Sequence, residues 1–189
     1  MITANVIYQK KTSKFYFDRL KKSASKYDIN LKYFEAITPV KLNNFTHINS
    51  LPHKFIFKNK WNKQKDALPY LRSIFLSHYL LWEKCLSQNQ GLFIVEEDIE
   101  FVSKLEPLDF YKNYDVVNFH FNHLNLISGG AYYLYPPGAK LLIKQVKLFG
   151  WSANDYLIRR MANNLMLNLL QVRDVIAGNE IHRRWSRHS

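Results

Sequence analysis

The sequence predicts a single α/β domain, and three observations carry the prediction. Short apolar runs alternate with amphipathic stretches of helical period, as strands and helices taken in turn would. A chain of 189 residues with 47% hydrophobic side chains is long and apolar enough for one sizeable core. The run "LFIV", Leu92 to Val95, is apolar at every position, which suits a central strand buried on both faces.

The elements follow in order. "ANVIYQ" reads as a buried strand. "TSKFYFDRLKKSASKYDI" reads as an amphipathic helix capped by Thr12 or Ser13, with Phe15, Leu20 and Ala24 toward the core. "LKYFEAI" is a second strand. Residues 39–67, with Pro39, Pro52 and "KFIFKNKWNKQK", lack periodicity and read as a long basic and aromatic excursion, a kind of segment more often functional than idle. "LPYLRSIFLSHYLLWEKCLSQN" is the strongest helix, with Leu71, Phe75, His78, Leu81 and Trp82 on or near one face. "GLFIVEE", "DVVNFHF" and "GGAYYLY" are further strands. "PPGAKLLIKQVKLFG" is a helix with proline in its first turn and Gly150 as its stop. "ANDYLIRRMANN" is a last short helix, and residues 182–189, "HRRWSRHS", form a basic tail. No repeat or linker divides residues 1–189.

The formal net charge is +12, and residues 1–90 carry +11 of it. A basic half of this kind attracts polyanions over long range: nucleic acid, anionic head groups or phosphorylated glycans. The plainer alternative is that lysines keep an aromatic-rich chain in solution. The single Cys85 excludes an internal disulfide and a multi-cysteine zinc site. No apolar run reaches the roughly 18 residues of a membrane span, and "MITANVIYQKK" lacks the order of a signal peptide. The expectation is a soluble cytoplasmic protein without a transmembrane segment, with peripheral contact at the inner membrane face left open.

In this basic chain, "GLFIVEEDIEF" places four acids within five positions, Glu96 to Glu100. A carboxylate at the C-terminal end of a central α/β strand lies where ligands collect. On an extended strand Glu96 and Asp98 share a side and Glu97 faces the other. Such a pair of hard oxygen ligands suits Mn²⁺ or Mg²⁺ completed by phosphate oxygens. The alternative is a solvated acidic turn, and the preceding apolar run favours the metal.

"LSHYLLWEKCLSQNQGLFIVEEDIEF" resembles glycosyltransferase family 25, whose pattern is a Ser-His pair on a helix, a Trp shortly after, and a strand ending in acidic residues. Here these are Ser77, His78, Trp82 and Glu96, Glu97 and Asp98, with Glu97 standing where the family usually has Asp. "YFEAI", "YDVVNF", "GGAYYLYPPGAKLL" and "NDYLI" extend the resemblance in the same order.

The resemblance implies a GT-A-like, Rossmann-like domain with a mostly parallel central sheet flanked by helices. It implies transfer of a sugar from a nucleotide sugar, commonly with inversion. Such a reaction needs a general base for the acceptor hydroxyl, and Asp155 is the candidate, with a helix N-cap as its other reading. Glu97 and Glu100 stand in reserve. His78 would orient the donor or, through a hydrogen bond, the metal-binding strand, with a buried structural histidine as an equal reading; Ser77 would assist at the donor. Gly129 and Gly130 would let the backbone approach the sugar, or form an ordinary turn. His182 would be a third metal ligand, by analogy with late histidines of GT-A enzymes. The polyanionic acceptor is a phosphorylated lipooligosaccharide or other glycan, or hydroxymethylated DNA. The competing class is a non-catalytic nucleic-acid-binding module.

Overall fold

The structure is a computed structural model, which describes residues 2–9, 14–45, 51, 67–120, 128–173 and 175–178. Most of the 39–67 excursion, the caps Thr12 and Ser13, the 182–189 tail and His182 lie outside the described residues.

The strands β1 (Ile2–Tyr8), β2 (Ile29–Glu35), β3 (Leu92–Glu96), β5 (Val116–Asn118), β6 (Ala131–Leu134) and β7 (Leu169–Gln171) form a six-stranded sheet. Its order is β2-β1-β3-β6-β5-β7. β1 pairs parallel with β2 and β3, and β5 with β7, whereas β6 is antiparallel to both β3 and β5. Five strands therefore point one way and β6 the other. The start of β6 thus comes to the sheet end where β3 and β5 finish. A two-stranded antiparallel pair, β4 (Ile99–Phe101) with β8 (Ile176–Gly178), accompanies the main sheet.

Side-chain alternation divides the core into two layers. Leu92 and Ile94 of β3, Val116 of β5, and Tyr132 and Leu134 of β6 face α2 (Ala67–Gln88), α3 (Pro136–Phe149) and α4 (Asn154–Asn163). Phe93, Val95, Val117 and Ala131 face α1 (Lys14–Lys26), β4 and the turn around Tyr111. This is the flanked sheet the sequence predicts. α2 buries Phe75, His78, Leu81 and Trp82, while Asn89 closes it in the left-handed region at φ 47°. Gly150 ends α3, its N–H bonding Val146 O at 2.8 Å. On α1, Leu20 and Ala24 are buried but Phe15 is 65% exposed. The helix face turns through Leu20, Ser23 and Ala24, and Phe15 falls outside it.

Two differences from the sequence reading matter for function. β3 stops at Glu96, and Glu97 and Asp98 form a turn before β4, so the strand alternation expected of Glu96, Glu97 and Asp98 ends where the acids begin. The excursion opens with a 3-10 helix, Pro39–Asn44, which packs against α2.

Gly138 tests the α3 packing. A Cβ there would lie 2.4 Å from the Asp115 carbonyl oxygen and 2.9 Å from its carbon, backbone atoms that no rotamer change moves. Gly138→Ala should cost about 1–3 kcal/mol. Urea unfolding would read this as a lower midpoint at unchanged slope.

Candidate active site

The acidic end of β3 is organised by a chain of hydrogen bonds reaching back into the core. Trp82 Nε1 donates to Tyr132 Oη at 2.8 Å. Tyr132 Oη lies 2.8 Å from His78 Nδ1, and His78 Nε2 lies 3.1 Å from Glu96 Oε1. Indole nitrogen is a donor only, so the Tyr132 oxygen accepts from it and is left with its own proton to give. The Nε2–H tautomer of His78 satisfies every member: Tyr132 donates to Nδ1, and Nε2–H donates to Glu96. The chain thus runs one way, Trp82 to Tyr132 to His78 to Glu96.

The sequence places these groups by simple periodicities. His78 and Trp82 are four apart on α2 and share a face. Tyr132 sits on the β6 face that α2 covers, and Glu96 follows Ile94 on the matching face of β3. His78 is 0% exposed, whereas the Glu96 side chain is 29% exposed. The chain therefore links a dry interior to a carboxylate that solvent or ligand reaches. Burial also pushes the Tyr132 phenol far above its ordinary value, so it stays protonated as a donor.

Asp155 belongs to the same electrostatic neighbourhood. It is the second residue of α4, behind the cap position held by Ala153, so the N-cap reading does not apply to it. Its Oδ1 accepts the Tyr156 N–H at 2.8 Å. Burial raises its pKa above the ordinary 3.8, with the Glu96 charge adding to the rise and Tyr156 N–H and Arg159 opposing it. A carboxylate drawn toward its protonated form beside another carboxylate has the character of a proton acceptor.

The remaining candidates separate. Glu97 Oε2 accepts Gln9 N–H at 2.7 Å, which ties the turn to the end of β1. Asp98 follows in that turn, partly buried. Glu100 pairs with Arg19 of α1, on the other side of the sheet. Ser77 is 1% exposed; its hydroxyl donates to Ser73 O and accepts Ile37 N–H, both at 2.9 Å, so it joins α2 to the chain after β2.

Gly129 and Gly130 form a turn, the other reading given to them, and Gly130 O accepts Glu96 N–H at 2.7 Å. The space above them belongs to the chain itself. A Cβ on Gly129 would meet Asn154 Nδ2 at 2.1 Å, and one on Gly130 would meet His120 Nδ1 at 2.3 Å.

Among the described residues no three His, Cys, Asp or Glu side chains gather as a ready-made metal set. The fit of a divalent ion rests instead on two carboxylates, Glu96 at the end of β3 and Asp98 in the turn that follows. Glu96 is held by an imidazole N–H in the way outer-shell donors hold metal-ligating carboxylates. The donor set, hard oxygens only, fits Mn²⁺ or Mg²⁺ sharing its coordination with a diphosphate.

Sequence reasoning missed Tyr132, whose role depends on a contact 54 residues away. Tyr132→Phe removes the proton that fixes the His78 tautomer. Were Glu96 to hold Mn²⁺, the variant should bind it about 10- to 100-fold more weakly, as when other outer-shell partners are lost, while the core stays packed. Calorimetric titration of Mn²⁺ into the variant checks this.

A model of glycosyltransferase family 25, described as an LPS biosynthesis protein family, matches residues 11–127, more than half of the chain. Among solved structures, the chain is similar to that described as the crystal structure of a glycosyltransferase involved in the glycosylation of the major capsid of PBCV-1. The two are 13% identical, with 91% of this chain and 81% of that chain covered and a TM-score of 0.46. No curated protein matches the chain.

Proposed function

The chain belongs to glycosyltransferase family 25 and is a glycosyltransferase, which sets aside a non-catalytic nucleic-acid module; from that premise we propose its donor, acceptor and mechanism. The donor is a UDP-linked sugar and the acceptor a hydroxyl of a phosphorylated lipooligosaccharide. The observation that carries the mechanism is Asp155, drawn toward its protonated form by burial and in smaller part by the charge of Glu96, the carboxylate held by the chain from Trp82.

In this reading Asp155 takes the proton of the acceptor hydroxyl as its oxygen attacks the anomeric carbon. The bond from that carbon to the diphosphate oxygen breaks on the opposite face, UDP leaves with the electron pair, and the anomeric configuration inverts. His78 orients Glu96 and does not touch the reacting atoms. Glu96 and Asp98 would hold Mn²⁺ or Mg²⁺, which when bound supplies Lewis-acid stabilisation of the leaving diphosphate. Glu97 braces the turn against β1. The +11 charge of residues 1–90 favours a polyanionic acceptor, and the family's description as LPS biosynthesis proteins favours a glycan. Among the described residues no helix is long and apolar enough to cross a membrane.

The test offers a UDP-sugar panel with phosphorylated lipooligosaccharide, its dephosphorylated form and hydroxymethylated DNA, with Mn²⁺ or with EDTA. Transfer to the phosphorylated glycan, lost in EDTA, is expected. Transfer to DNA alone would replace the acceptor, and undiminished transfer in EDTA would sink the metal.

A further inference from the structure

Three polar side chains at this end of the sheet have buried atoms without a hydrogen-bond partner among the described residues: Asn118 Oδ1, Ser152 Oγ and Asn154 Nδ2. The residues are 1%, 4% and 5% exposed. Leaving such a group unpaired is costly, because it gives up its bonds to water and gains none in return, so three such atoms call for a partner.

Contacts link Asn118 and Asn154, and the chain carries Ser152 close to Asn154. Asn118 ends β5 opposite Tyr132 in register, on the sheet face that α4 covers. Its Nδ2 donates to His120 O at 2.7 Å, and the same carbonyl accepts Ser128 N–H at 2.9 Å. The next residue, Gly129, is the one against which Asn154 Nδ2 lies. Ser152 is two residues before Asn154, and Asp155 is the residue after it.

We propose that Asn118, Ser152 and Asn154 form a subsite that reads hydroxyl groups of a pyranose ring. The set consists of one orphaned acceptor, one orphaned donor and one hydroxyl able to do either. A neutral group that both gives and takes hydrogen bonds complements it. An anion would meet the carboxylates of Asp155 and Glu96, whose charges already act on each other. A cation would meet the Asn154 N–H. Gly129 belongs to this device: without a Cβ it leaves the Asn154 amide its position. The ring could be that of the donor sugar or of the acceptor, and the choice between them rests on the nucleotide-sugar reading above.

The experiment uses the full chain and two variants, Ser152→Ala and Asn154→Ala. Ser152→Ala removes a buried unpaired hydroxyl and should melt no lower than the parent. UDP, UDP-glucose and UDP-galactose are titrated by calorimetry. Free glucose and galactose are titrated into ¹⁵N-labelled protein while the Asn154 side-chain amide signal is followed. Expected are a shift of that signal with hexose, and about tenfold weaker binding of the UDP-hexose in both variants with UDP itself bound as before. Unchanged UDP-hexose binding with about tenfold lower transfer to a saccharide acceptor would assign the hydroxyls to the acceptor ring and uphold the subsite. If UDP and the UDP-hexoses fail to bind the parent while free hexose still moves the amide, the donor reading falls and the subsite stands. An unmoved amide, with binding and transfer intact in both variants, would mean that the three atoms hold water only, and the proposal is overturned.

Discussion

Asp155→Asn should lower turnover by about 100- to 10,000-fold, the usual contribution of a general base, and at the same time raise the melting temperature at pH 7. The second half follows from linkage. The folded-state pKa of Asp155 lies above its ordinary 3.8 because burial and the Glu96 charge disfavour ionisation. A pKa raised on folding means that the native state binds the proton more tightly. The contribution of this group to stability is complete below pH 3.8 and is lost as the pH rises through the folded value. At neutral pH the ionised carboxylate therefore weighs against the fold. Asparagine keeps an oxygen for the Tyr156 N–H and removes the charge. The stability gain should shrink as the pH falls toward 3.8, and melting curves from pH 3 to pH 8 would trace it. A variant that loses activity and gains stability marks a residue kept for chemistry. Full activity in Asp155→Asn would remove it as the base.

Glu96→Gln should abolish metal-stimulated donor cleavage, by about 1,000-fold, as expected for several kcal/mol of charge stabilisation. The amide oxygen still accepts from His78 Nε2, so the fold and the chain from Trp82 persist. What disappears is the negative charge a divalent ion needs. Mn²⁺ titration should show the loss directly, with melting little changed. A second consequence separates this variant from one that merely distorts the site. Glu96 is one of the groups raising the Asp155 pKa, so the acidic limb of the pH-rate profile should move to lower pH in whatever activity survives. Mn²⁺ stimulation equal to the parent's would exclude Glu96 as a ligand.

The parts of this molecule legible in the sequence are those with local causes. β3 was readable because a fully apolar run can only be a buried strand or a buried helix, and so short a run behind Gly91 favours the strand. α2 was readable from its period, and with it the inward face of His78. The strands β4, β7 and β8 were not readable: each is three residues long, and unlike β5, which opens the apolar run "DVVNFHF", none was picked out by a strand-like run. The turn at Glu97 and Asp98 was the alternative reading of the acids, and the structure adopts it from Glu97 on; no Gly or Pro marks where the strand stops. Ser77 shares a motif with His78, but one residue along a helix is about 100° of rotation, which carries its hydroxyl to Ile37 instead. The surroundings of Tyr132, Asn118 and Asn154 are set by partners on other elements, which a pattern within one element cannot express.

Imidazole in water passes freely between its two neutral forms, and a histidine beside a carboxylate inherits that indecision. Here the decision is made two rings away, by an indole that can give a proton-mediated bond but never receive one. Trp82 acts as a one-way valve: with Phe in its place the Tyr132 hydroxyl would be free to turn, and the orientation of Glu96 would no longer have a single origin. A large apolar residue in the middle of the core, conventionally a matter of packing, thus sets the hydrogen-bond polarity of a carboxylate at the surface.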